Sequence, residues 1–170
     1  TDCYGEYKFP RIEYKGEWKD GAFHGQGILR EAWGDVYVGG FVMNKAEGSG
    51  KQDIYQHGEM VGSFGGELKN DYLNGKGYWE QDGCRYEGIF IDHKLNGEGQ
   101  ITCDYGYLAK GLFKDDVLNG YGFESWENGT VYEGEYKDGY LHGEGKKNFA
   151  DGSREFGTFL EGEQLSLIHI

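Results

Sequence analysis

This chain of 170 residues holds a single proline, Pro10, far below an average globular share. Cysteine is scarce as well. Cys3, Cys84 and Cys103 are odd in number and never stand in C-x-x-C spacing. That indicates neither a zinc site nor a disulfide framework, and it reads as reduced thiols of a cytoplasmic protein. No apolar run approaches the ~18 residues of a membrane-spanning helix, and no window places apolar residues at i, i+3, i+4 and i+7. Positive charge is short: 17 Lys and Arg stand against 30 Asp and Glu, a net charge of −13. The imbalance argues against nucleic acid as a partner. It argues equally against direct binding to anionic membranes, where each basic residue contributes only about 1 kcal/mol.

Glycine and aromatic residues are what the chain has in abundance: 32 Gly, 4 Trp, 14 Tyr and 10 Phe, far from an average globular mix. They are ordered. A pattern recurs about every 23 residues, with copies starting at Tyr14, Tyr37, Phe64, Tyr86, Ala109, Tyr132 and Glu155. A repeat of this length is one supersecondary unit copied in series. Two places after each start stands Gly16, Gly39, Gly66, Gly88, Gly111, Gly134 or Gly157. Four places after it stands a large side chain: Trp18, Phe41, Leu68, Phe90, Phe113, Tyr136 or Phe159. A glycine pair follows, from Gly25/Gly27 to Gly143/Gly145, preceded in most copies by His or Asn.

Side chains alternate faces along a strand, so the start, the glycine and the large residue of each copy share one face. The opposite face, Lys15, Glu17 and Lys19 in the first copy, reads as solvated. A glycine repeated at one register marks a close approach to the backbone, here expected from an aromatic ring of a neighbouring strand. The Asn-Gly and Asp-Gly steps at Gly75, Gly83, Gly97, Gly120, Gly129 and Gly152 are expected to form tight hairpin turns. Two turns per copy give two strands per copy. The predicted fold is all-β: an elongated single-layer antiparallel sheet solenoid of tandem β-hairpins, about 60 Å long for six copies at the usual strand spacing.

Tyr14, Gly16, Trp18, Gly21, His24, Gly25 and Gly27, and again Tyr132, Gly134, Tyr136, Gly139, His142, Gly143 and Gly145, resemble the MORN repeat. Residues 1–13 look like a partial N-terminal repeat, 14–162 like a MORN-repeat array of six repeats plus a terminal half repeat, and 163–170 like an off-pattern tail, either a cap or an artefact. The chain starts without methionine and is expected to be a piece of something longer. The copy opening at Tyr37 departs most, with Asn44 and Glu47 in place of Gly and His and extra residues around Ile54 to Ser63. Asp71, His93 and Asp116 replace the mid-turn glycine of their copies.

No constellation of nucleophile, base and oxyanion donor can be assembled, so no catalytic residue, metal site or cofactor is expected. His24 and His142 occupy a column where other copies place Asn, which points to turn chemistry. What remains is surface. The face carrying Tyr14, Trp18, Tyr37, Phe41, Tyr86, Phe90, Phe113, Tyr132 and Tyr136 is expected to dock a protein or peptide segment, because rigid aromatics anchor interfaces at small entropic cost. A second patch, Val38, Val42, Ile89, Ile91 and Leu112, suggests self-association. The resemblance implies a non-catalytic protein-interaction scaffold in the cytoplasm, reaching a membrane or the cytoskeleton through a partner. Its alternative is the regulatory region of a larger enzyme, such as a phosphatidylinositol phosphate kinase or a lysine methyltransferase. Phospholipid binding ranks below both.

Overall fold

The computed structural model describes residues 3–8 and 10–165. Among them the chain is all-β, and the strands follow chain order in an open antiparallel sheet. The first seven are β1 (Cys3–Lys8), β2 (Ile12–Lys19), β3 (Ala22–Glu31), β4 (Val36–Val42), β5 (Lys45–Gln56), β6 (Glu59–Lys69) and β7 (Tyr72–Gln81). Then come β8 (Cys84–Ile91), β9 (Lys94–Cys103), β10 (Leu108–Lys114), β11 (Val117–Ser125), β12 (Val131–Lys137), β13 (Tyr140–Asn148), β14 (Arg154–Leu160) and the short β15 (Glu163–Gln164). The segment expected to be a partial repeat contributes β1, whereas the expected tail lies outside the described residues beyond Leu165. The chain divides into two compact units, one of residues up to 82 together with 90–93, the other of residues 83–89 together with those from 94 onward.

In the first unit the glycine column becomes a ladder of cross-strand pairs: Gly5 faces Gly16, then Gly16 faces Gly27, Gly27 faces Gly39, Gly39 faces Gly50, Gly50 faces Gly66 and Gly66 faces Gly77. In the second unit the same ladder runs from Gly99 through Gly111, Gly122, Gly134 and Gly145 to Gly157. The reason is only partly the one the sequence suggests. A Cβ on Gly16 would lie 2.5 Å from the hydroxyl of Tyr14 and 2.6 Å from the Cα of Gly27. The intruding ring is thus the leading tyrosine of the same strand, not one from a neighbour, and the facing glycine backbone is as close as the ring. In the second unit a Cβ on Gly122 would meet Leu118 at 2.9 Å.

Over this ladder lies the core. Tyr14 stacks on Phe23 at 3.8 Å between ring centroids and meets Trp18 and Phe41 edge-on at 5.2 Å. The rings cover one another, so a sheet without a second layer still buries its apolar face. Tyr14 and Phe90 are 0% and 1% exposed, and Leu73, Leu95 and Phe159 are equally enclosed.

Hairpin turns fall where the mid-turn column predicts. Asp20–Gly21, Met43–Asn44, Asn70–Asp71, Asp92–His93, Asp115–Asp116 and Asp138–Gly139 all take positive φ, as two-residue turns between twisted strands require. The Asn-Gly steps at Gly75, Gly97 and Gly120 are a correction: they lie inside β7, β9 and β11, not in turns. Their positive φ serves β-bulges, seen as register shifts between Gly66 and Leu68 and between Gly111 and Phe113. An Asn-Gly pair satisfies either geometry. Gly83, Gly129 and Gly152 do lie in turns, also with positive φ.

Cysteine gives a second correction. Cys84 and Cys103 are joined in a disulfide, with Cα atoms 4.0 Å apart, while Cys3 is free and exposed. Cys84 opens β8 and Cys103 closes β9, so the antiparallel hairpin sets them side by side at its open end, 19 residues apart in sequence. Motif spacing along the chain carries no sign of it.

Candidate interaction surface

Consecutive hairpins are latched at their turns, and this frame fixes the rings. Asn44, Asp71, His93 and Asp116 each donate a backbone N–H to the preceding hairpin, to the carbonyls of Phe23, Ala46, Leu73 and Leu95. Each also accepts, through its side chain, the N–H of that same residue: 2.8 Å for Asn44, 2.7 Å for Asp71, 3.2 Å for His93 Nδ1 and 2.7 Å for Asp116. The apparent departures from glycine are therefore gains of an acceptor by residues that tolerate the left-handed region. The His/Asn column reaches the same turns from the strand. Asn74 donates to Asp92 at 2.9 Å and Asn119 to Asp138 at 3.2 Å.

Of the rings expected to form a docking face, Tyr14, Tyr37, Phe41, Phe90, Phe113 and Tyr136 are buried. Trp18, Tyr86 and Tyr132 are half-buried. Column alone does not decide access: Tyr14 and Tyr37 are buried and Tyr86 and Tyr132 half-buried at the same place in their copies, and four places further along Phe41 is buried and Trp18 half-buried. Burial pushes the phenols of Tyr14 and Tyr37 up to about 12.

In the first unit Trp18 lines a shallow cleft of about 270 Å³ with Cys3, Tyr4, Glu17, Lys19 and His24. Its indole N–H points to the carbonyl of Gly5 at 3.4 Å. His93 stands at a latch among Phe64, Trp79 and Tyr72, at ring distances of 5.1, 5.3 and 5.3 Å, and burial lowers its pKa. On the opposite face of this unit Val38 and Val42 are exposed, as is Ile91.

The second unit assembles a row of rings that single-column reading misses, because its members come from different columns. Tyr105 lies 6.3 Å from Tyr107, Tyr107 5.7 Å from Trp126, Trp126 4.8 Å from Tyr132 and Tyr132 6.2 Å from Phe149. Three loops of one design carry it: Cys103 bonds to the carbonyl of Tyr107, Trp126 to that of Thr130 and Phe149 to that of Ser153, each closed by a glycine N–H turning back. The Tyr107 hydroxyl donates to Glu124 at 2.5 Å, and burial first, then this carboxylate, raises its pKa well above the ordinary phenol range. Leu112 is exposed on the other face of the same unit.

Among the described residues no group of three or more potential metal ligands comes together, and no helix is long and apolar enough to cross a membrane.

Comparison with known proteins agrees with this architecture. The MORN repeat pattern matches residues 14–36, 37–53, 86–104, 110–131 and 132–154. These segments begin at or beside the copy starts, and they leave out the stretch where β5 and β6 are lengthened. Alsin from Rattus norvegicus, Mus musculus and Homo sapiens is 31% identical to the chain over 117 residues, 62% of this chain. The chain spans 7% of the length of these relatives. The repeat is generally a non-catalytic module, and by its matched segments and its tandem hairpins the chain belongs to the MORN repeat family.

Proposed function

We propose that this array is a non-catalytic scaffold that docks a partner segment against the solvent-reaching rings of its aromatic face. The observation that carries the reading is the half-burial of Trp18, Tyr86 and Tyr132, with Trp18 packed on Tyr14 and Phe23 and Tyr132 on Trp126. Rings already immobilised lose little entropy on binding, which is what makes an anchor. The cytoplasm is the proposed location, with membrane or cytoskeletal association arising through the partner. Panning a displayed library of ten-residue peptides against the purified chain tests the reading. Enriched peptides are expected to lose most of their affinity when Trp18, Tyr86 and Tyr132 are replaced together by Ser, and to keep it when Glu87 and Asp92 are replaced by Ala. Equal losses in the two variants would place the contact elsewhere.

A second reading makes the array the regulatory part of a longer protein. What supports it is the small share of the matched relatives that the array spans. Reading the flanking coding sequence tests it: a kinase or methyltransferase motif is expected under this reading, and flanks bare of any catalytic motif would refute it.

A further inference from the structure

We infer that the segment docked at Tyr132 is basic, an extended stretch carrying arginine or lysine, and that on the second unit it follows the ring row through Tyr132 from Tyr105 to Phe149. This rests on the docking reading and adds the chemistry of the partner. The spacing fits an extended chain. Steps of 6.3, 5.7, 4.8 and 6.2 Å between ring centroids are near the roughly 6.6 Å that separates alternate side chains of a strand. Access is graded along the row, with Tyr105 63% exposed and Tyr107, Trp126, Tyr132 and Phe149 half-buried.

Charge selects the sign of the partner. Glu124 and Glu155 flank Tyr132 on its own face, through the pairings of Tyr132 with Glu124 and Lys147 and of Lys147 with Glu155, with Glu124 accepting the Tyr107 hydroxyl and Glu155 standing 3.9 Å from the Lys147 ammonium. Glu127, next to Trp126, is exposed. The cation at this end, Lys147, is already committed: its ammonium stands 5.1 Å from the centroids of both Tyr132 and Phe159 and donates to the carbonyl of Gly162 at 2.5 Å. The row thus already seats one cation against a ring beside a carboxylate, and the exposed Tyr105 and the Trp126–Glu127 pair offer a further guanidinium or ammonium group a similar environment. An acidic segment would meet the carboxylates instead. The three matched loops hold the row in place before binding.

The test is fluorescence polarisation of a labelled decapeptide of alternating Arg and Gly with the whole chain at about 0.15 M salt, where long-range attraction is screened. The same peptide with Gln for Arg serves as the neutral probe. Binding of the Arg peptide is expected to weaken about tenfold with Trp126→Ala and to change less than twofold with Trp33→Ala, an exposed indole of the first unit. The Gln peptide is expected not to bind, and the indole N–H signal of Trp126 is expected to shift on adding the Arg peptide. Equal weakening by the two tryptophan variants would overturn the inference in favour of diffuse attraction. A Gln peptide that binds as tightly and loses affinity with Trp126→Ala would leave the docking reading intact and remove the basic partner. Absence of binding by the Arg peptide to the folded chain would also remove it, while the library experiment judges docking separately.

Discussion

Replacing Gly111 by Ala and, separately, Gly129 by Ala isolates what the glycine ladder does. Both residues lie in the second unit and both have positive φ, +151° for Gly111 and +87° for Gly129. An alanine at either site therefore incurs a backbone strain of about 1–2 kcal/mol. Only one meets an obstacle. A Cβ on Gly111 would stand 2.5 Å from the carbonyl oxygen of Tyr121 and 2.6 Å from the Cα of Gly122, whereas one on Gly129 meets nothing within 4 Å. Backbone cannot rotate aside as a side chain can, so overpacking adds about 1–3 kcal/mol at Gly111 alone. The expected losses are about 1–2 kcal/mol for Gly129→Ala and about 2–5 kcal/mol for Gly111→Ala. For a chain of this size each kcal/mol corresponds to about 2–4 °C in Tm. Thermal and urea unfolding followed by circular dichroism measures both. Because stability in an array sums over neighbouring units, exchange protection of the amides of Tyr121 and Gly122 localises the effect. Losses equal to within about 0.5 kcal/mol would refute the claim that strand approach, and not dihedral preference alone, keeps the ladder glycine.

Three further outcomes are expected. Asp116→Ala removes the charged acceptor of the Leu95 N–H and is expected to cost about 1.5–3 kcal/mol. Asp116→Gly, which keeps the backbone half of the latch and suits φ of +71°, is expected to cost less, and the reverse order in urea melts would contradict the latch. Thiol titration of the oxidised, denatured chain is expected to find Cys3 alone, and reduction is expected to lower stability by about 3 kcal/mol for a loop of this length; three reactive thiols would show that the bridge is absent, as a reducing cytoplasm would have it. His93 has a folded-state pKa below its ordinary value of 6.5, through burial. The unfolded chain therefore takes up the proton first, so its stabilising share is full above about pH 6.5 and is lost as pH falls towards the folded-state pKa. Melting curves of the wild type and His93→Asn are expected to diverge less at acid pH than at neutral pH, and parallel curves would remove His93 from the titration.

The period and the hairpins were legible because both follow from local geometry that a repeat displays several times over. The burial of Tyr14 against the half-burial of Tyr86 and Tyr132 was not, since the three share one column and differ in the neighbours packed on them, as Trp18, Phe23 and Phe41 are packed on Tyr14. The Asn-Gly steps misled because a turn and a bulge ask the same left-handed conformation of glycine. The ring row escaped notice because Tyr105, Trp126 and Tyr132 occupy different columns. Asp71, His93 and Asp116 stand where other copies have glycine, and the N–H groups their side chains accept belong to the preceding hairpin, beyond the reach of local sequence.

The lengthened hairpin of the first unit shows what such a frame permits. β5 and β6 have 12 and 11 residues and close through His57–Gly58, yet Asp71 still engages Ala46 as its counterparts do in copies of ordinary length. One margin of the molecule sets the pitch and the other is free to vary, so insertions accumulate at the loop margin without shifting any later copy. New recognition surface can arise there one hairpin at a time, while the seam that joins the copies stays unchanged.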